Sequence, residues 1–364
     1  MKNICFINTT GFWGGGEKLH LEYALKFIER DYNVFLATST NSPLFKKAKE
    51  NNIKTFEIKL GNLSFLNVYK YLLLYRFFKK ENIDTVIFSS SPDLKTGGFS
   101  AKLTKVKNIV YLRGLAVPIK NTFLNRILYK DIITHIIANS YETKRTLTIN
   151  LSKSINVDDK IKVIYHGIDL ELYDKTKKEN LNSDINEEII LGNAGRLTNQ
   201  KGQKDLIKIA HILKEKGLKF KLKIAGTGEL QPELEAMIKE LKLEQEVILL
   251  GFVSDMENFM RSLDIFLLSS SWEGFGYVIV EAMAASKPVV AYDISSNPEI
   301  IENKVTGFLV DYQDIDMFSQ KIELLIKDKV IRNQLGVNGR KAVEDKFQLD
   351  DRITEMEESL LNKN

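Results

Sequence analysis

The stretch Asp264-Ile-Phe-Leu-Leu-Ser-Ser-Ser-Trp-Glu-Gly-Phe-Gly-Tyr-Val-Ile-Val-Glu-Ala-Met-Ala284 decides the fold. The apolar run Ile265–Ser269 has the length of a strand buried on both faces. Gly274 and Gly276 interrupt the chain before a second apolar segment of helical length. Strand, glycine turn and helix form the repeating unit of a doubly wound parallel sheet. Such a turn sets a helix N-terminus at the carboxyl end of a strand, where free N–H groups and the dipole favour an anion. Two carboxylates, Glu273 and Glu281, flank it.

The same alternation runs through both halves. Ile4–Asn8, Val34–Thr38, Thr85–Ser89, Ile109–Leu112 and His135–Ala138 read as buried strands of a first sheet. Ile189–Asn193, Leu222–Ala225, Val247–Leu250, Ile265–Ser269, Pro288–Tyr292 and Phe308–Val310 read as a second. Helical patterns lie between them, as in Glu17–Arg30, where Leu19, Tyr23 and Phe27 share a face. A chain of 364 residues is long for one core, so two α/β domains are expected. Their boundaries fall at 1–166, a polar linker at 167–188, a second domain at 189–345 and a terminal helix over 346–364, packing back on the first domain.

Bulk properties narrow the class. No apolar run approaches the ~18 residues of a membrane span, and the opening Met1–Asn8 reads as a first strand rather than a secretory leader. The single cysteine, Cys5, reads as a small core residue in a reducing compartment. The net charge of +4 hides an asymmetry: residues 1–168 hold 26 Lys and Arg against 13 Asp and Glu, and the remainder 26 against 35. Different partners are implied for the two halves.

Several strand ends carry glycines or cations. Thr10-Gly-Phe-Trp-Gly-Gly-Gly-Glu17 follows the first strand, yet lacks the G-x-G-x-x-G spacing and the ribose-binding acid of a dinucleotide site, which weakens a nicotinamide reading. Gly195-Arg196 and Lys201-Gly202 follow the first strand of the second half, and Gly226-Thr-Gly228 the next. Cations at a cleft mouth suit a diphosphate; taken alone, they read as solvated surface charge. Leu250-Gly-Phe-Val253 offers backbone to a flat base. As for the two glutamates, even a fully helical path would separate their Cα atoms by about 12 Å. Paired glycosidase acids stand roughly 5–9.5 Å apart at their carboxyl groups, a gap that side-chain reach can close. The glycines at the helix start favour a phosphate site over an acid pair.

Taken in order, Gly195-Arg196, Lys201-Gly202, Gly226-x-Gly228, Gly251-Phe252-Val253, Glu273-Gly-Phe-Gly276, Glu281-Ala-Met-Ala284 and Pro288-Val-Val-Ala291 resemble the family-4 retaining glycosyltransferases of the GT-B fold. The likeness runs through most of residues 190–310, and more loosely through the Gly14–Gly16 loop and Ala138-Asn-Ser140. It implies two Rossmann-like domains with parallel sheets facing a central cleft. It also implies that Arg196 and Lys201 hold a donor diphosphate, helped by backbone near Gly274, Phe275 and Gly276. Glu281 would hold the ribose, Glu273 the transferred sugar, and Phe252 and Val253 the base. Gly15, Gly16, Gly195, Gly226 and Gly228 would complete the donor site.

The sequence departs from the family pattern at two places. Where many relatives carry a histidine facing the sugar, this chain has Arg113-Gly114, which cannot act as a base and instead suits an acceptor phosphate or carboxylate. Ser295-Ser-Asn297 replaces a common glycine pair. His20, His135 and His211 read as structural, and His166, at the proposed hinge, as a linker residue. The one D-x-D, Asp314-Ile-Asp316, reads as a helix cap, so no metal and no cofactor are expected. The resemblance and these residues together imply a cytoplasmic, metal-independent retaining enzyme that moves a sugar from a nucleotide-diphosphate donor, taken to be UDP-linked, to a glycan or lipid-linked, phosphate-bearing acceptor in cell-envelope polysaccharide synthesis. The basic half, with Leu63–Lys80 and Pro118–Lys130, points to an anionic membrane surface and peripheral placement on its inner face; nothing resembles a nucleic-acid module. The leucines of Leu63–Lys80 are expected to be buried in a connecting helix. An epimerase of the same fold and a silent nucleotide-sugar-binding protein are the alternatives.

Overall fold

A computed structural model describes residues 2–174 and 188–361. The chain divides into two units, one formed by residues up to Tyr165 with the segment from Asp350 on, the other by His166–Leu349. The linker expected over 167–188 lies mostly outside the described residues.

The first unit is a seven-stranded sheet of β1 (Asn3–Ile7), β2 (Asn33–Thr38), β3 (Lys54–Glu57), β4 (Thr85–Phe88), β5 (Asn108–Arg113), β6 (His135–Ala138) and β7 (Ile161–Val163), ordered β3-β2-β1-β4-β5-β6-β7. All its pairs are parallel. The five inner strands are almost wholly buried and are the five that the apolar runs foretold. The sequence reading missed β3 and β7, the two edges. Lys-Thr-Phe-Glu is exposed at both ends and only half-buried between, and β7 spans three residues, so neither offers an unbroken apolar run.

The second unit is a six-stranded parallel sheet of β8 (Ile189–Ala194), β9 (Phe220–Ala225), β10 (Val247–Gly251), β11 (Ile265–Leu268), β12 (Val289–Tyr292) and β13 (Gly307–Val310), ordered β10-β9-β8-β11-β12-β13. Strand order reverses between β8 and β11, so their carboxyl ends diverge into a crevice, the usual ligand position of such sheets. Each sheet carries its own apolar core, around Phe88 and Tyr111 in the first unit and around Phe220 and Tyr292 in the second.

Two further elements depart from expectation or extend it. The helix Val68–Lys80, capped by Asn67 Oδ1, buries Leu74, Phe77 and Phe78, but Leu63, Leu66 and Leu72 are exposed. The expectation that this segment's leucines are buried therefore holds only for its second half: a helix packed along one face leaves the other to water. The final helix, Leu349–Leu361, joins the first unit from Asp350 on. There Arg30 Nη1 donates to Glu357 Oε2 at 3.1 Å and Asn108 Nδ2 to Leu360 O at 3.3 Å. Within the second unit, Ile168 N donates to Phe347 O at 2.8 Å and Leu349 N to Ile168 O at 3.1 Å, tying the two segments that adjoin the first unit in sequence. A Cβ on Gly167 would stand 2.5 Å from Leu349 Cα, which explains the glycine there.

Candidate functional site

The loops leaving β8 and β11 meet at the strand-order reversal. Ser271 N donates to Gln200 O at 2.8 Å, Ser269 Oγ to Lys201 O at 3.0 Å and Gln200 Nε2 to Trp272 O at 3.0 Å. Gly202 sits at the left-handed φ of 66°, and a Cβ there would lie 2.1 Å from Ser269 O. Only glycine allows the two backbones this close. The loop after β9 is drawn in the same way: Leu197 N donates to Thr227 O at 3.0 Å, and a Cβ on Gly226 (φ 140°) would meet Gly195 O at 1.9 Å. A Cβ on Gly228 would meet Leu197 O at 2.3 Å. Loop-against-loop packing therefore accounts for Gly226 and Gly228 without any ligand. Gly226 N in turn donates to Gly251 O at 2.7 Å, which fixes the turn presenting the exposed Phe252 and its neighbour Val253.

Within this frame Lys201 and Glu273, far apart in sequence, form an ion pair of 2.6 Å. The lysine stem lies along Gly195, whose absent Cβ would stand 3.3 Å from Lys201 Cδ. The two side chains are only 17 % and 8 % exposed, so their attraction is little screened by water. Ser270 Oγ also donates to Glu273 Oε1 at 2.6 Å, while Oε2 accepts from none of the described residues. Glu273 Oε1 is the only acceptor that Lys201 Nζ reaches among the described residues, and an ammonium carries three donors. The pair thus presents an unused carboxylate oxygen and unused cationic N–H groups side by side. Arg196 is exposed beside it, with its guanidinium in no ion pair among the described residues. Its backbone is pinned, since Gln203 Nε2 donates to Arg196 O at 3.1 Å.

The helix Tyr277–Ala284 starts directly after Gly276, so Glu281 lies more than a turn inside it, buried, while Glu273 is on the incoming loop. A Cβ on Gly276 would meet Ile279 Cδ1 at 2.7 Å and Asn297 Oδ1 at 3.3 Å. Gly274 and Phe275 complete the turn. Phe275 is buried with Phe347 at 5.8 Å between centroids and His166 edge-on at 5.4 Å. Burial pushes the His166 imidazole down to about 4, so it is neutral near pH 7.

Sequence reasoning missed His166 as part of this turn. It sits about 110 residues before Phe275 in the chain, and no local pattern signals the contact. It also missed Ser270, whose hydroxyl orients Glu273. Ser295 takes a left-handed φ of 48°, a conformation that explains why glycine is common there, and Ser296 Oγ donates to Glu273 O at 3.4 Å. Asp314 accepts from Met317 N at 2.9 Å as a helix cap, as its position suggested.

The remaining candidates lie in the first unit. Gly15 and Gly16 open the helix Gly15–Glu29 after β1, and an added Cβ on either meets nothing within 4 Å. No packing inside the unit demands glycine there. Arg113 ends β5 but is buried, donating to Val117 O at 2.7 Å and to Tyr111 Oη at 3.3 Å. It braces the following loop and is not a free surface cation. Gly114 O accepts from Asn139 Nδ2 at 3.3 Å.

Comparison with known proteins agrees with this architecture. Residues 13–172 match the model of Glycosyltransferase Family 4, and residues 174–342 that of Glycosyl transferases group 1. A capsular polysaccharide biosynthesis glycosyltransferase of Staphylococcus aureus is 32% identical over 69% of each chain. A UDP-Gal:alpha-D-GlcNAc-diphosphoundecaprenol alpha-1,3-galactosyltransferase of Escherichia coli is 28% identical over 98% of this chain and 95% of its own. Among solved structures, a glycosyltransferase of Rickettsia africae superposes with a TM-score of 0.86 at 22% identity, over 100% of this chain and 99% of its own. Alr3699/HepE of Anabaena, solved with UDP and glucose, gives 0.83 at 22%, over 99% and 100%. These likenesses establish the GT-B fold.

Proposed function

The chain belongs to the family-4, group 1 glycosyltransferases, and from that membership we propose that it moves a sugar from a UDP-sugar to a lipid-linked or polysaccharide acceptor of the cell envelope. The Lys201–Glu273 pair at the reversal between β8 and β11 carries this reading. A diphosphate seated against the start of helix Tyr277–Ala284 would meet the ammonium of Lys201, the guanidinium of Arg196 and backbone N–H groups of the Glu273–Gly276 turn. Glu273 Oε2 would accept from a hydroxyl of the transferred sugar. Glu281 would accept from the ribose, and the turn at Phe252 and Val253 would receive the base. In the first unit, Gly15 and Gly16 would let a phosphate approach the start of their own helix. The two relatives are glycosyltransferases of capsular polysaccharide biosynthesis and of a diphosphoundecaprenol-linked acceptor; that is why the epimerase and silent-binder readings give way.

The reaction breaks the bond between the sugar's anomeric carbon and the β-phosphate oxygen, which leaves with the electron pair. A bond forms from the acceptor oxygen to the same carbon on the same face, and the acceptor proton passes to a phosphate oxygen. Lys201, Arg196 and the turn's N–H groups stabilise the charge on the leaving diphosphate. With this much positive charge no metal is required. Transfer should therefore persist in EDTA, and an α-linked donor should give an α-glycoside. Activity lost in chelator and restored by magnesium would refute the first point, and a β-linkage by NMR the second.

No helix among the described residues is long and apolar enough to cross a membrane. The proposed placement is cytoplasmic and peripheral, with the acceptor received by the basic first unit near the loop that Arg113 braces.

A further inference from the structure

The apolar side chains left exposed before and along helix Val68–Lys80 call for a partner. Leu63, Leu66, Val68, Tyr69 and Leu72 are 72, 69, 69, 65 and 47 % exposed, all within ten residues. Isolated exposed leucines are ordinary on any surface, whereas a run of this density marks an interaction site. The charge around it is one-sided: from Lys59 to Lys80 there are five Lys and Arg and no Asp or Glu. Lys70 Nζ is held at the base of this loop by Lys59 O at 2.6 Å and Ser64 Oγ at 2.8 Å. Together with the exposed Lys59 it borders an open pocket lined by Leu60, Gly61, Leu63 and Asn67. Lys95 adds a cation 5.8 Å above the Phe65 ring.

We propose that Gly61–Leu72 is a membrane-docking loop: its leucines, Val68 and Tyr69 enter the headgroup boundary of an anionic bilayer, and Lys59 and Lys70 meet lipid phosphates. Apolar insertion ringed by cations is the chemistry of an interfacial anchor. A run of cations with no acid among them complements a surface that is anionic throughout, as a bilayer of acidic lipids is. The topology supports the choice. The loop leaves the carboxyl edge of β3, and Thr9 Oγ1 donates to Leu60 O at 3.3 Å, so the anchor adjoins the glycine loop that leaves the same edge of β1. A lipid-linked acceptor would arrive at that edge. The inference rests on the peripheral placement proposed above and deepens it.

The test is sedimentation with phosphatidylglycerol–phosphatidylcholine vesicles and with phosphatidylcholine alone, at low and high salt. The wild-type chain should partition onto the anionic vesicles, less so in salt. Leu63→Ser/Leu66→Ser/Val68→Ser/Tyr69→Ser should lower that partition at least about tenfold, because bound strength scales with apolar area inserted. The same variant should keep its melting temperature and its transfer to a water-soluble acceptor. Equal partition of variant and wild type would overturn the docking loop while leaving peripheral placement intact. No binding by the wild type would overturn both. A wild-type dimer that the variant abolishes, without vesicle binding, would assign the patch to self-association and also overturn the proposal.

Discussion

Lys201→Met is expected to lower turnover by about a thousandfold, equivalent to about 4 kcal/mol at the transition state. Two losses coincide. The leaving diphosphate forfeits a preorganised ammonium, and Glu273, buried and bonded to Ser270, is left without the cation 2.6 Å away. The second loss also lowers stability, and the double variant Lys201→Met/Glu273→Gln separates the two. Removing both charges should recover most of the melting temperature and none of the turnover. Glu273→Gln alone should reduce kcat with a small change in UDP affinity, because it spoils the acceptor at Oε2 while leaving the cations in place. Glu281→Ala should mainly weaken UDP binding. Equal behaviour of these last two in UDP titration and turnover would contradict the division of roles.

The second large effect is on stability. Gly226→Ala should cost more than about 3 kcal/mol and broaden into loss of activity. An alanine there is strained twice: φ is 140°, and its Cβ would sit 1.9 Å from Gly195 O, which is backbone and has no free rotation to yield. The displaced strand end carries Gly195 and Arg196, so the donor site moves with it. Gly217→Ala is the control. Its φ is 73°, yet nothing lies within 4 Å of the added Cβ, so only the conformational term of about 1 kcal/mol applies. Urea denaturation of the pair measures the difference; equal midpoints would remove loop packing as the reason for Gly226.

These variants also indicate what a sequence can and cannot disclose. The inner strands of both sheets were legible because a strand covered on both faces needs an unbroken apolar run, as in Ile265–Leu268. The edge strands β3 and β7 were not, since water on one side relaxes that need. The glycine turns were legible as places of close approach, but not what approaches: at Gly202, Gly226 and Gly228 the neighbour is another loop of the same unit. The two glutamates were found by their spacing around Gly274 and Gly276. The bond between Lys201 and Glu273 was hidden, because 72 residues and three strands separate them. His166 against Phe275 was hidden for the same reason. Arg113 was legible as a departure from the family pattern; its burial against Val117 O depends on a loop whose course no pattern in the sequence fixes.

The most direct test of the donor site and its chemistry is UDP release from a panel of UDP-sugars, in EDTA, with and without a polyprenyl-diphosphate-linked glycan. One donor should yield UDP only when acceptor is present, one UDP for each glycoside formed, and Lys201→Met should abolish the signal. Conversion of the donor to its epimer without acceptor, or tight UDP binding with no release under any acceptor, would contradict it.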